Sequence, residues 1–127
     1  MIARSEDRWT LAVAAVVFAV ILLGLAAASY RANGGHLVYA LDDAYIHMAI
    51  AANVAEHGVF GISASEFSSA SSSPLWTTLL AGLYAIFGRS ETLPLALNLL
   101  FGVAALAVVR VLGREAGITG RRLALLL

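Results

Sequence analysis

Three long apolar runs, separated by polar segments, dominate the pattern of this sequence. The runs cover residues 11–28, 74–87 and 93–109. Because about 20 apolar residues cross the hydrocarbon core of a bilayer, the pattern predicts an all-α fold of transmembrane helices at 10–29, 74–88 and 93–112. The apolar residues 123–127, directly after two arginines, predict the start of a fourth membrane helix.

The second run is short for a membrane crossing. Its length of about 14 residues corresponds to roughly 21 Å of helix at about 1.5 Å per residue, against a hydrocarbon core about 30 Å thick. It spans only by using the serines that precede it, or where protein surrounds it. The alternative is a re-entrant segment that returns to the side from which it came.

The polar segment at 30–73 has a helix of its own. Residues 42–57 begin with acidic side chains, are rich in alanine and contain no Gly or Pro, and Gly58 then provides a stop signal. Four apolar residues recur at helical spacing: Tyr45, Met48, Ala49 and Ala52. This pattern predicts a helix that lies on the membrane surface or packs on the transmembrane helices.

Composition supports a membrane protein and excludes several other classes. The chain has 127 residues, of which 61% are hydrophobic and 13% charged, whereas soluble domains have about 45–50% and about 25%. The formal net charge of zero gives no general attraction for nucleic acid. Cysteine is absent, so disulfides, thiolate metal sites and cysteine nucleophiles are excluded.

Basic residues indicate the orientation. The N-terminal segment carries Arg4 and Arg8, whereas residues 32–88 contain no Arg or Lys. Because positive residues concentrate on the cytoplasmic side, the sequence predicts a plasma (inner) membrane protein with a cytoplasmic N-terminus and the loop 30–73 outside. A cleaved signal peptide is the alternative for the first run, but that run is longer than the usual apolar region of about 7–15 residues.

The arginines after the third run conflict with three full crossings. Half of the eight arginines follow that run: Arg110, Arg114, Arg121 and Arg122. Three crossings place them outside, against the usual bias, whereas a re-entrant second segment returns them to the cytoplasm. The sequence leaves this choice open.

Asp42 and Asp43 are the strongest candidates for chemistry. Two adjacent carboxylates follow a membrane helix on its outer side, where one can act as a general base or hold a divalent cation against a phosphate. The simpler interpretation is helix capping, because Asp is favoured at the N-cap and in the first turn. Capping needs only one of the two, so the pair favours a function.

Weaker candidates surround the acidic pair. Asp43 and His47 are four residues apart on one helical face, which suits two ligands of a metal ion, or a simple ion pair. Ser72 and Ser73 belong to a serine-rich stretch that is either a flexible linker or a hydroxyl lining for a sugar or pyrophosphate. Trp76 is either a sugar-stacking platform or an anchor at the membrane interface.

The order of three motifs along the chain is more specific than any one of them. Asp-Asp-Ala-Tyr-Ile at 42–46 follows a membrane helix, Ala-Asn-Val-Ala-Glu-His-Gly-Val-Phe-Gly comes at 52–61, and Ser-Ser-Ser-Pro-Leu-Trp enters the next apolar run at 71–76. Over residues 10–112 this arrangement resembles the N-terminal part of bacterial GT-C-type glycosyltransferases. The similarity is to arabinofuranosyl- and mannosyltransferases, multi-pass enzymes that use polyprenyl-phosphate sugars.

The resemblance implies a function for the loop. In that family an acidic residue of the first outer loop belongs to the active site, and the matching positions are Asp42 and Asp43. A lipid-linked sugar donor and a glycan, lipid or protein acceptor of the cell envelope are the implied partners. Arg31 is the basic residue nearest the loop, and it would meet the donor's phosphate or merely anchor the first helix.

Length departs from the family pattern. Its members have many more membrane helices and later loops that complete the donor site, so the resemblance implies that this chain is an N-terminal fragment, inactive alone. The alternative class is a small, non-enzymatic multi-pass membrane protein, such as a transporter piece or an assembly subunit.

Overall fold

The protein is all-helical in a computed structural model that describes the backbone of residues 2–118 and side chains from residue 9 onward. No strand occurs among these residues. The four helices are α1 (Ile2–Ala32), α2 (Asp42–His57), α3 (Pro74–Phe87) and α4 (Leu93–Glu115). The all-α prediction is thereby confirmed, and α2 has the bounds that the sequence predicts. The predicted start of a further helix at 123–127 lies outside the described residues.

The chain divides into two compact units. The long-helix unit contains α1 as far as Ala28 and α4 from Ala96, and the central unit is Ser29–Leu95. The central unit holds α2, α3 and the loops around them, and therefore every residue singled out above as a candidate for chemistry.

Among residues 2–118, two helices are long and apolar enough to cross a membrane. They are Trp9–Ala32 and Leu93–Glu115, of 24 and 23 residues, and neither has a buried residue in its most apolar window. Helix α3 has only 14 residues, about 21 Å at about 1.5 Å per residue. The structure thus has two helices of spanning length where the sequence predicts three crossings.

Within the long-helix unit, α1 and α4 meet at a glycine. A Cβ atom added to Gly102 of α4 would overlap the ring of Phe18 of α1. The missing side chain therefore lets the aromatic ring reach the backbone of α4. Small residues at helix contacts are the usual means of close packing between membrane helices.

The core of the central unit lies between α2 and α3. Its buried members are Met48, Ala51, Ala52, Leu80, Ala81 and Tyr84. Half of them are alanines, which allow the two helix backbones to approach closely. Leu93, in the first turn of α4, packs against the same cluster.

Helix α2 begins and ends at the predicted residues but lacks an aspartate cap at its start. Gly58 has a left-handed φ of 69°, and its N–H bonds to the carbonyl of Val54, which terminates the helix in the conformation that glycine adopts without strain. At the other end Leu41 is the N-cap, with no side-chain capping hydrogen bond. The two aspartates are therefore the first helical residues and not the cap.

Glu91 ties the segment before α2 to the loop between α3 and α4. Its carboxylate accepts a hydrogen bond from the Leu37 N–H at 3.1 Å and lies 3.6 Å from Nδ1 of His36. Its backbone carbonyl accepts a bond from the Tyr39 hydroxyl at 2.6 Å. These contacts close the central unit across residues that are more than fifty positions apart.

Tyr39 makes this closure sensitive to alkaline pH. Burial raises the pKa of its phenol from 10 to about 12, so the folded state favours the neutral hydroxyl. The resulting stabilisation is complete below pH 10 and is lost as the pH rises through about 12. Tyrosinate absorbance should show a late titration step that Tyr39→Phe reduces, while Tyr84, whose pKa burial also raises, contributes the remainder. The exposed Tyr30, changed to Phe, should leave that step in place; its loss there would contradict the assignment.

The loop after α2 is held by Asn53 and requires a glycine. The Asn53 amide donates 2.8 Å hydrogen bonds to the carbonyls of Gly61 and Ile62, and the Ser68 N–H bonds to Phe60 at 2.9 Å. A Cβ on Gly61 would overlap the carbonyl oxygen of Glu66. This close approach of two backbone segments leaves no room for a side chain.

Gly61→Ala should therefore destabilise the central unit by about 1–3 kcal/mol, the usual cost of overpacking. Thermal unfolding in detergent, followed by circular dichroism, measures the effect. Gly82→Ala is the matched control, because nothing lies within 4 Å of its added Cβ and alanine favours a helix over glycine. Equal unfolding temperatures for the two variants would contradict the tight-loop interpretation.

Candidate functional site

The first turn of α2 presents two exposed carboxylates. The Asp42 side chain makes no hydrogen bond or ion pair with any residue in the described part of the chain, and neither aspartate caps the helix. Both carboxylates lie at the positive end of the helix dipole, where acidic side chains are commonly placed. The capping interpretation of the pair is thus not realised, although the dipole interaction remains.

Asp43 is held in place from two sides. The Ser72 hydroxyl is 3.1 Å from one carboxylate oxygen and 3.3 Å from the other, and it donates its hydrogen to this carboxylate. Nε2 of His47 lies 3.4 Å from Oδ2 of Asp43 and 3.3 Å from the Ser72 oxygen. The Asp43 side chain is nevertheless 56% exposed, so solvent and ligands reach it.

His47 is the buried centre of the cluster. Its side chain is 7% exposed, and its Nδ1 lies 2.8 Å from the Thr77 hydroxyl and 3.3 Å from that of Ser71. The two hydroxyls are 2.9 Å apart. Every polar atom of the ring therefore has a partner, as a buried imidazole requires.

The hydrogen-bond pattern assigns the proton on the His47 ring. A bare Nε2 would place its lone pair near the Asp43 carboxylate, which is unfavourable, whereas an Nε2–H can donate to the Ser72 oxygen at 3.3 Å, and Ser72 donates its own hydrogen to that carboxylate. On the other side Nδ1 accepts either from Thr77, whose hydrogen has the Ser73 carbonyl as its other acceptor at 3.1 Å, or from Ser71 at 3.3 Å. We assign the Nε2–H form from this network. The imidazole then supports the carboxylate through the Ser72 hydroxyl, and its Nε2 lies 3.4 Å from Oδ2 of Asp43.

The serine-rich stretch is folded onto α2 and is not a linker. Pro74 is the first residue of α3, where its fixed φ and missing N–H suit a helix start. The Thr77 N–H bonds to the carbonyl of Ser73 at 3.0 Å, and the Ser73 N–H bonds to the Ser71 hydroxyl at 3.3 Å. This start of α3 directs the hydroxyls of Ser71 and Ser72 toward His47 and Asp43.

The structure thus brings together some predicted site residues and not others. Asp43, His47 and Ser72 form one cluster, which we call the Asp43 cluster together with Ser71 and Thr77. Ser73 contributes backbone contacts, and Trp76 is partly buried in the first turn of α3. Arg31 is exposed and forms no ion pair within residues 9–118.

Thr77 and Ser71 were missed by the sequence reasoning. Thr77 is fully buried, and its neighbours on the buried face of α3 are apolar, so the helical pattern alone marks it as a core position. A threonine at a core position indicates a buried hydrogen bond, since buried hydroxyls need partners. The sequence does not indicate that this partner is His47, thirty residues away.

A metal ion is not favoured by the residues present. Among the described residues no group of three or more His, Asp or Glu side chains is placed to hold a metal. Asp43 and His47 supply one carboxylate and one imidazole, and these two contact each other. Catalytic zinc sites usually have three protein ligands, whereas Mg²⁺ is often bound by one or two carboxylates together with substrate phosphates, so a divalent cation at this position stays a prediction that needs ligands from elsewhere.

Removal of the Thr77 hydroxyl tests the buried side of the cluster. Thr77→Val keeps the shape but leaves His47 Nδ1 with only the longer contact to Ser71, so we expect the free energy of unfolding to fall by about 1–3 kcal/mol. Chemical denaturation in detergent measures it. Thr78→Val is the control, because Thr78 is exposed and bonds only to the Pro74 carbonyl. A loss as large in the control would show that the buried contact is not the cause.

The cluster has the features of a site for proton transfer. An accessible carboxylate accepts a hydrogen bond from Ser72 and contacts a buried imidazole that is itself held by hydroxyls. Preorganisation of this kind is what a general base needs.

Comparison with known protein families, curated proteins and solved structures finds no match to this chain.

Proposed function

We propose that this protein is an integral membrane glycosyltransferase that transfers a sugar from a lipid-linked phosphosugar to an acceptor hydroxyl on the outer face of the membrane. The observation that carries the proposal is the Asp43 carboxylate, exposed yet held by Ser72 and His47. The order of motifs in the sequence, which resembles the first part of GT-C-type enzymes, supplies the reaction class.

In this reaction Asp43 acts as the general base. The acceptor hydroxyl gives its proton to the carboxylate while its oxygen forms a bond to the anomeric carbon of the donor sugar. The bond between that carbon and the phosphate oxygen breaks, and the lipid phosphate leaves with the electron pair. Proton removal by a positioned side chain contributes about 100- to 10,000-fold to a rate.

The local contacts favour Asp43 over Asp42 as the base. A base must keep one geometry relative to the substrate, and the Ser72 hydrogen bond together with the His47 contact at 3.4 Å provides it for Asp43. Asp42 has no such support among the described residues. In the proposal Asp42 contributes negative charge near the reacting centre, where positive charge develops on the sugar.

The remaining predicted contacts belong to the donor. Arg31, exposed at the C-terminal end of α1, binds the leaving phosphate, since a guanidinium pairs well with phosphate oxygens. Ser73 and Trp76 flank the cluster at the start of α3 and contact the sugar. A divalent cation at Asp43 and His47 is the weaker possibility, for the reason given above.

The proposed topology has two crossings. If α1 and α4 cross the membrane and α3 does not, the chain begins and continues past α4 on the same side. The N-terminal arginines and those after the third apolar run then share the cytoplasm, in agreement with the positive-inside rule. The central unit lies outside, at the plasma (inner) membrane, with the loop 30–73 and the Asp43 cluster.

Sugar transfer in membrane vesicles tests the function. The full-length product of the gene that encodes this chain is incubated with a radiolabelled polyprenyl-phosphate sugar and a cell-envelope fraction as acceptor. Transfer is expected with the wild type and not with a double variant, Asp42→Asn with Asp43→Asn. Equal transfer in both would reject the catalytic assignment and favour a non-enzymatic membrane subunit.

Reporter fusions test the topology separately. A fusion after Gly61 should report the outer side and one after Gly117 the cytoplasm. A cytoplasmic signal at Gly61 would overturn the placement of the site, and an outer signal at Gly117 would restore three crossings.

A further inference from the structure

We propose that α3 lies in the plane of the membrane, with its outer face against lipid acyl chains and its inner face against α2. The proposal requires the two crossings above but not the transferase activity. It assigns lipid as the partner of the outer face of α3, which is apolar and exposed.

The two faces of α3 are both apolar. The inner face buries Thr77, Leu80, Ala81 and Tyr84. On the opposite face Leu75 is 75% exposed, Leu79 42% and Ile86 73%. At about 100° per residue these three and Gly82 fall within a sector of about 60°, so they form one stripe that runs the length of the helix.

Such a helix does not suit contact with water on its outer side. No charged residue occurs from Pro74 to Gly88, and Phe87 at its end is 70% exposed. A helix that is hydrophobic all round is found inside a large core or in a membrane. A contiguous exposed apolar surface of this kind marks an interaction site.

The two helices of the central unit differ in charge. Helix α2 carries all the charge of the pair, with Asp42, Asp43 and Glu56 exposed. Helix α3 has none. Since α2 and α3 pack against each other, the unit has one polar side and one apolar side. This is the pattern of an amphipathic element that lies at a membrane interface, with its apolar side buried by about 5–10 Å.

Chain connection places α3 near the membrane surface. Only residues 88–92 join α3 to α4, and five extended residues reach at most about 18 Å. Leu93, the first residue of α4, packs on the same core as α3. The point at which α4 begins its crossing is therefore part of the central unit, and lipid is the partner available to the exposed stripe.

Spin labels measure this contact directly. The chain has no cysteine, so Leu75→Cys, Leu79→Cys and Ile86→Cys each offer a single labelling site at an exposed position. Glu56→Cys on α2 is the matched control. The labelled full chain is placed in vesicles of phosphatidylcholine and phosphatidylglycerol, and collision rates with oxygen and with a water-soluble nickel chelate are compared.

If α3 contacts lipid, the collision rate with oxygen should exceed that with the nickel chelate at all three α3 positions. At position 56 the nickel chelate should have the higher rate. The membrane depths of the three labels should agree to within one helical turn, because all positions along an in-plane helix lie at a similar depth. Access by the nickel chelate, or by neither reagent, would overturn the proposal in favour of water or of a protein cover. A depth change of about 16 Å between positions 75 and 86 would show a crossing helix instead. None of these outcomes depends on sugar transfer.

Discussion

Replacing Asp43 with Asn is expected to lower the rate of sugar transfer about 100- to 10,000-fold, the usual contribution of a general base. The amide has the size of the carboxylate and can still accept the Ser72 hydrogen bond, but it cannot take a proton from the acceptor. The loss should therefore appear in the rate at saturating donor. It is measured with radiolabelled polyprenyl-phosphate sugar in vesicles that contain equal amounts of each protein.

Asp42→Asn is the matched control for this change. It removes the same charge from the adjacent exposed residue, which lacks the contacts that orient Asp43, so we expect a loss of about tenfold or less. Ser72→Ala should lie between the two, because it frees one side of the carboxylate and leaves the His47 contact. A larger loss for Asp42→Asn than for Asp43→Asn would assign the base to Asp42 and contradict the assignment of Asp43 from its contacts.

Leu80→Ala is expected to have the largest effect on stability. Leu80 is fully buried at the centre of the contact between α2 and α3. Truncation of such a leucine removes buried apolar surface and leaves a cavity, which costs about 2–5 kcal/mol. The central unit has only a few buried residues to hold its two helices together, so this loss should be visible as a lower unfolding temperature in detergent.

The neighbouring leucine provides the control. Leu79 has the same side chain on the same helix but is 42% exposed on the outer face. Leu79→Ala should therefore change the unfolding temperature much less than Leu80→Ala. If both variants unfold at the same temperature, the packing of α3 on α2 does not hold the unit together as described.

Helix bounds were largely readable from local sequence. Helix α2 extends over Asp42–His57 and α3 begins at Pro74, because glycine after a helix and proline at its first position act through their own backbone preferences. The beginning of α2 was less well predicted: Leu41 is the N-cap. An N-cap depends on where a side-chain oxygen points, and here the aspartates are one and two residues too late to cap.

The number of long helices was harder to read. Residues 74–87 satisfy the apolar criterion of a membrane segment, yet one face of the helix is buried against α2. Hydrophobicity reports that a segment avoids water, and it does not distinguish lipid from a neighbouring helix. The length of α3, at 14 residues, was the better indication.

By itself, the sequence determined the two helices that are long and apolar enough to cross a membrane, the helical spacing that places Asp43 and His47 on one face, and the absence of basic charge around them. Each of these properties depends on residues that are close in the chain. Only the tertiary structure decided that Ser72, Ser71 and Thr77 complete the cluster, that Asp43 is held while Asp42 is not, and that α3 covers α2. Those contacts join residues some thirty positions apart, and helix packing alone brings them together, because no local backbone preference encodes which distant hydroxyl will reach a buried imidazole.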